Sequence, residues 1–131
     1  RPPLLGGIPT QVFSDSSFAF HSFPSLVAPI PEFQKAASAL GHLNPIRDPD
    51  GITRRIPMFV EFQNQLFPAL SLAVISTITG DPSIQGSSEN YFGAFKKIES
   101  INVGGIAIAV DKDLNALIPY RKNKKSFSFR L

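Results

Sequence analysis

Asn44-Pro45-Ile46-Arg47-Asp48-Pro49-Asp50-Gly51-Ile52-Thr53-Arg54-Arg55-Ile56-Pro57-Met58-Phe59-Val60-Glu61-Phe62 is the stretch whose reading decides how this chain folds. At its centre, Pro49 presets φ, Asp50 can bond its own backbone and Gly51 is free to take positive φ, a combination that predicts a turn. Apolar residues lie on both sides, so the stretch reads as a β-hairpin with arms at 42–46 and 52–62. In the second arm Ile52, Arg54, Ile56, Met58, Val60 and Phe62 share one face, while Thr53, Arg55, Phe59 and Glu61 share the other. Arg54 is then the one charge on an otherwise apolar face and needs a partner. Two readings of it stand: the cation of a ligand pocket, or a structural partner of Asp48 or Asp50 that ties the hairpin. The structural pairing is preferred.

Working outward, Pro31-Glu32 suits the first turn of a helix, where a missing N–H costs nothing and an acidic side chain meets the dipole. Phe33, Ala36, Ala37 and Leu40 make one apolar stripe, so a helix is expected over 31–40 with Gly41 as its C-cap. Residues 1–30 hold Pro2, Pro3, Pro9, Pro24 and Pro29 with Phe13, Phe18, Phe20 and Phe23 among them, and are expected to be irregular. Such an opening reads as the middle of a longer chain. Beyond the hairpin, Leu66–Thr79 is apolar nearly all round and predicts a buried helix ended by Gly80-Asp81-Pro82. It is shorter than the roughly 20 residues that span a bilayer. Ser83–Asn90 reads as polar loop, Tyr91–Lys97 as a short strand or turn, and Gly104-Gly105 as a break before a strand at 106–110 that pairs with one near 116–120. The fold class expected is α+β in a single unit. A mixed or antiparallel sheet with a central β-hairpin is flanked by two helices, with 31–120 as the core and 121–131 as a basic tail.

The composition bounds the chemistry. The chain has 131 residues, 43% hydrophobic and 18% charged, which suits a globular core and excludes a disordered or fibrous chain. Thirteen basic and ten acidic residues leave a charge of +3, too mild for a nucleic-acid binder. With no cysteine there is no disulfide, thiolate metal site or thiol catalysis. His21 and His42 are the only side chains suited to proton transfer near neutrality, and they form no zinc-like pair. Asp48, Asp50 and Asn44 supply too few oxygens for a calcium loop, and Asp48 and Asp50 are read as closing the turn. Arg121, Lys122, Lys124, Lys125 and Arg130, interleaved with Phe127 and Phe129, read as a solvated tail rather than a nucleic-acid strand site. Catalytic residues, metal and cofactor are expected to be absent.

The string Gly41-His42-Leu43-Asn44, Asp48-Pro49-Asp50-Gly51-Ile52, Arg54-Arg55-Ile56-Pro57-Met58 and Phe67-Pro68-Ala69-Leu70 resembles the core signature of the type-two CHASE domain. The match is dense over residues 29–79 and weaker at Ile108–Asp111 and Tyr120-Arg121, where Asn115 is the expected turn residue. The resemblance marks Gly41, Asn44, Asp48, Asp50, Gly51, Arg54, Pro57 and Pro68 as structural signature positions and names no ligand-binding residue. It implies the C-terminal half of an extracytoplasmic sensor in a membrane-tethered bacterial signalling protein, acting on a cyclase or kinase output domain in the same chain. An undefined small-molecule or protein signal and a homodimer are the partners it suggests. Two rival readings are a structural dimerisation module that senses nothing and a small-molecule-binding enzyme domain.

Overall fold

The computed structural model describes residues 8–9, 20–81, 84–91 and 95–120. The elements run β1 (Ile8–Pro9), β2 (His21–Ser22), α1 (Pro31–Ala36), β3 (Ile46–Arg47), β4 (Thr53–Pro57), β5 (Phe59–Phe62), β6 (Gln65–Pro68), α2 (Leu70–Thr79), β7 (Ile84–Tyr91), β8 (Phe95–Val103), β9 (Ile106–Ala109) and β10 (Asn115–Leu117). Among the described residues this is a mixed α+β arrangement with two helices and three small sheets, ordered β1-β6-β5-β2, β10-β4-β3 and β7-β8-β9.

The Asp-Pro-Asp-Gly turn folds β3 back antiparallel to β4, with Ile46 opposite Arg55 and Arg47 opposite Thr53. The first arm is only β3, shorter than expected. The expected second arm divides at Met58: β4 pairs with β3 and β10, whereas β5 pairs with β6 and β2. The Met58 backbone joins the two sheets, its N–H donating to the Leu114 carbonyl at 2.9 Å and its carbonyl accepting from the Ala69 N–H at 2.8 Å. Alternation ends there, because a strand that changes sheets is covered on both faces. Pro57, Met58, Phe59 and Val60 are all buried. Phe59, expected on the outer face, is 2% exposed in the main core, and Ile52, expected inward, is 48% exposed.

Leu66–Pro68 is strand rather than helix. Gln63 and Asn64 both take positive φ, 51° and 58°, and a two-residue turn of that hand matches the twist of paired strands. The β5–β6 hairpin follows, with Val60 opposite Phe67 and Phe59 opposite Pro68. Only then does α2 begin, and Gly80 at φ 68° ends it. Leu72 and Ala73 face the core while Leu70, Val74 and Ile78 stay exposed, so α2 is covered on one side rather than nearly all round.

The helix expected over 31–40 stops at Ala36. Pro31 and Glu32 take the first turn as expected, but the chain is extended at Ala37, Phe33 is 67% exposed and no residue of α1 is buried. A short helix persists only where tertiary packing covers its apolar face. Gly41 is therefore no C-cap.

The expected loop at 83–90 contains β7, antiparallel to β8, and β9 pairs with β8 across Gly104-Gly105 rather than with a strand at 116–120. Both glycines have positive φ, 53° and 77°. The late strand β10 pairs with β4, placing Asn115 opposite Pro57. Asn115 is buried within β10, not in a turn; the turn is Asp111–Leu114, where Leu114 has φ 58°. The main core gathers Met58, Phe59, Leu66, Leu72, Ile101 and Leu114, and Val60, Phe62 and Phe67 form a second cluster. The opening expected to be irregular contains β1 and β2; its residues 1–7 and 10–19, and the basic tail 121–131, lie outside the described residues.

Candidate functional site

Apart from Pro57, buried at the end of β4, the signature positions divide between two places. At the first, the chain before β3 is clamped to the β6–α2 junction: the His42 N–H donates to the Pro68 carbonyl at 2.9 Å, and the Leu70 N–H donates to the His42 carbonyl at 3.0 Å. Gly41 lies against the backbone of Leu70, an approach that leaves no room for a side chain.

His42 is the partly buried side chain at this clamp. Its Nδ1 accepts the Asn44 N–H at 3.2 Å, so in this arrangement the ring proton sits on Nε2. That nitrogen is shielded from water and completes no hydrogen bond among the described residues. Burial lowers the His42 pKa from the ordinary 6.5, against an upward pull from the Pro57 backbone. The unfolded chain therefore binds a proton that the folded chain refuses as pH falls below 6.5, and stability falls with it. The expected result is a lower urea midpoint at pH 5.5 than at pH 7.5, with a smaller difference in His42→Asn, whose amide oxygen can still accept the Asn44 N–H. An equal drop in both proteins sinks the assignment. The carboxylates act in a separate, lower window. Hydrogen bonding to Arg54 holds the Asp50 pKa below its ordinary 3.8. Burial raises that of Asp111, but N–H groups of Asn115 and Asp113 and the charge of Arg55 outweigh it and leave it lowered. Their stabilisation is present above 3.8 and lost as pH falls through the lowered values.

The second place is the β3–β4 turn. The Asp48 N–H donates to the Ile52 carbonyl at 3.0 Å, the Gly51 N–H to the Asp48 carbonyl at 2.8 Å, and the Ile52 N–H to Asp50 Oδ1 at 3.0 Å. Arg54 meets both carboxylates, Nη1 to Asp48 Oδ2 at 2.9 Å and Nη2 to Asp50 Oδ2 at 2.7 Å. Its pKa is raised by hydrogen bonds to Asp50 first and Asp48 second. Arg55 extends the chain of charge, 3.7 Å from Asp48 and 3.8 Å from Asp111. These side chains are partly solvated, so the network's effect on stability is modest and its geometry the more telling feature. Gly51 has φ 79° and open space where a side chain would go. Only backbone strain opposes substitution, and Gly51→Val is expected to lose about 1–3 kcal/mol in chemical unfolding. A variant as stable as the wild type would contradict the positive φ.

Beside the clamp is a cavity of about 580 Å³ that Arg54 does not line. Its floor is the second apolar cluster, Val60, Phe62 and Phe67, and its walls are residues 23–29 and 40–44. The sequence reading missed it, although Phe23 recurring among prolines is the pattern of a loop pinned onto a core. It also missed Arg55 with Asp111, which are far apart in sequence and meet only in the fold. Among the described residues no group of three His, Cys, Asp or Glu side chains could hold a metal ion, and no helix is long and apolar enough to cross a membrane.

No curated protein and no solved structure matches the chain significantly. The family model of the CHASE2 domain matches residues 9–130, beginning well before the dense run of motif residues. A match over nearly the whole chain shows the family: the chain belongs to the CHASE2 family of extracellular sensory domains.

Proposed function

We propose that this domain is the non-enzymatic, extracytoplasmic input of a membrane-tethered bacterial signalling protein and regulates a cyclase or kinase output in the same chain. The family match over residues 9–130 carries the reading. A sensor must bias its receptor between two states, and only a ligand or partner with different affinity for the two can do so. One feature supports a binding role: a cavity with an apolar floor lies beside the clamp, with His42 among the residues that line it.

The chain has no cysteine, which makes location testable. In the full-length protein, Lys35→Cys on the exposed face of α1 should react with a membrane-impermeant maleimide on intact cells, above the wild-type background. Labelling only after lysis would overturn the extracytoplasmic placement. Second-messenger formation or phosphate transfer by the same protein, compared with a form lacking this domain, tests regulation; equal rates under every condition would overturn it. A second reading, a dimerisation module, is favoured by the exposed stripe Leu70, Val74 and Ile78 on α2. It requires a concentration-dependent dimer that Val74→Asp abolishes.

A further inference from the structure

We propose that the cavity between residues 23–29, residues 40–44 and the β5–β6 hairpin binds a small uncharged organic molecule with an apolar ring or chain and one hydrogen-bonding end. Its volume of about 580 Å³ falls within the range of small-molecule sites, roughly 300–1,000 Å³. Val60, Phe62 and Phe67 supply a buried apolar floor, and Phe23, Leu26 and Leu43 line the sides. Among the described residues no side chain lining it carries a formal charge, and burial keeps His42 neutral. A carboxylate, phosphate or ammonium would give up part of its hydration against the apolar floor and find no counter-charge.

Two polar groups can orient a ligand. Ser25 and Asn44 are among the lining residues and bring a hydroxyl and an amide to the wall. The backbone N–H of Asn44 is bonded to His42 Nδ1, so the residue sits on a clamped segment. An amide both donates and accepts, which suits a hydroxyl, carbonyl or amide on the ligand. The wall at 23–29 is tied at its ends by the Phe23 N–H on the Glu61 carbonyl and by the Gln34 amide on the Pro29 carbonyl. Between those ties Leu26 is 38% and Val27 98% exposed, apolar surface that an occupant would help to cover. The inference rests on the sensory reading only in making such a molecule the signal; binding itself is measured directly.

N-phenyl-1-naphthylamine, uncharged with a single N–H, is titrated into the protein beside 1-anilinonaphthalene-8-sulfonate, the same rings with a sulfonate added. The uncharged dye is expected to show saturable one-site fluorescence enhancement, and the sulfonate to bind weaker by about tenfold or more. Ala28→Trp fills the cavity from an exposed wall and is expected to weaken the uncharged dye by about tenfold or more without lowering the melting temperature. Ser25→Trp serves the same purpose if Ala28→Trp does not fold. Ile78→Asp, on the exposed stripe of α2, leaves binding unchanged. Non-saturable binding, equal binding of the two dyes, or loss with Ile78→Asp and not with the filling variants overturns the proposal. A wild type that binds neither dye overturns it too, as do Ala28→Trp and Ser25→Trp both melting lower, since the space then belongs to the chain itself. No step of the titration depends on location or output, so its failure leaves the sensory reading to the labelling experiment.

Discussion

Phe59→Ala is expected to lose about 3–5 kcal/mol of stability in urea unfolding, while Ile52→Ala stays within about 0.5 kcal/mol of the wild type. Strict alternation along a single strand predicts the reverse, with Ile52 against the core and Phe59 in water. The difference arises at Met58. Its N–H bonds to Leu114 and its carbonyl to Ala69, so one stretch of backbone is shared between two sheets. Phe59 then joins Met58, Leu66 and Leu72 in the main core, and its truncation leaves a void that close-packed neighbours fill only in part. Ile52, next to the exposed turn, leaves no void. A large loss at Ile52 with little at Phe59 would restore the unbroken strand and remove the division into sheets.

Gly41→Val is expected to destabilise by about 3 kcal/mol, more than Gly51→Val if the two are compared at equal conditions. The reasons differ. Gly51 is constrained by positive φ in open space, whereas a Cβ on Gly41 would press on the Leu70 Cα and lie 2.7 Å from the Leu70 nitrogen and 3.0 Å from the Ala69 carbonyl carbon. Those atoms cannot rotate away as a side chain would. The Leu70 N–H is bonded to His42, and His42 in turn to Pro68, so relief means opening the clamp. Gly41→Ala should already show most of the loss, because the first carbon makes the clash. The check is the thermal midpoint of both variants, with the Asn44 amide resonance reporting whether its bond to His42 survives. Wild-type melting with an unmoved resonance would show that the backbones do not approach so closely.

What was legible in the residues follows a physical division. The Asp48–Ile52 turn, the helical start at Pro31-Glu32, the end of α2 at Gly80 and the strand at 106–109 all depend on φ preferences or bonds within a few residues. The strand β7 was not legible: Gln85, Gly86, Ser87 and Ser88 show no apolar alternation, and pairing with β8 makes that segment a strand. The end of α1 was illegible for the opposite reason. Its apolar stripe is real in the sequence but has no cover among the described residues, so the chain leaves the helix at Ala37 and carries Gly41 to the β6–α2 junction. Of the candidate site, Arg54 with Asp48 and Asp50 was readable because the three lie within one turn. The Arg55–Asp111 contact and the cavity assembled from three separate segments were not.

The amino-acid sequence by itself determined the mixed α+β class, the charged turn with its glycine and the family, since each rests on short-range chemistry or on the spacing of motif residues. Only the tertiary structure decided which strands pair beyond the β3–β4 hairpin, that Met58 is the point where one strand becomes two, that Gly41 serves close packing instead of capping, and that an uncharged cavity lies over Val60 and Phe67. Those outcomes depend on backbone groups from distant segments finding partners once the core closes, and outside proline every residue offers the same N–H and carbonyl, so no residue letter announces its partner.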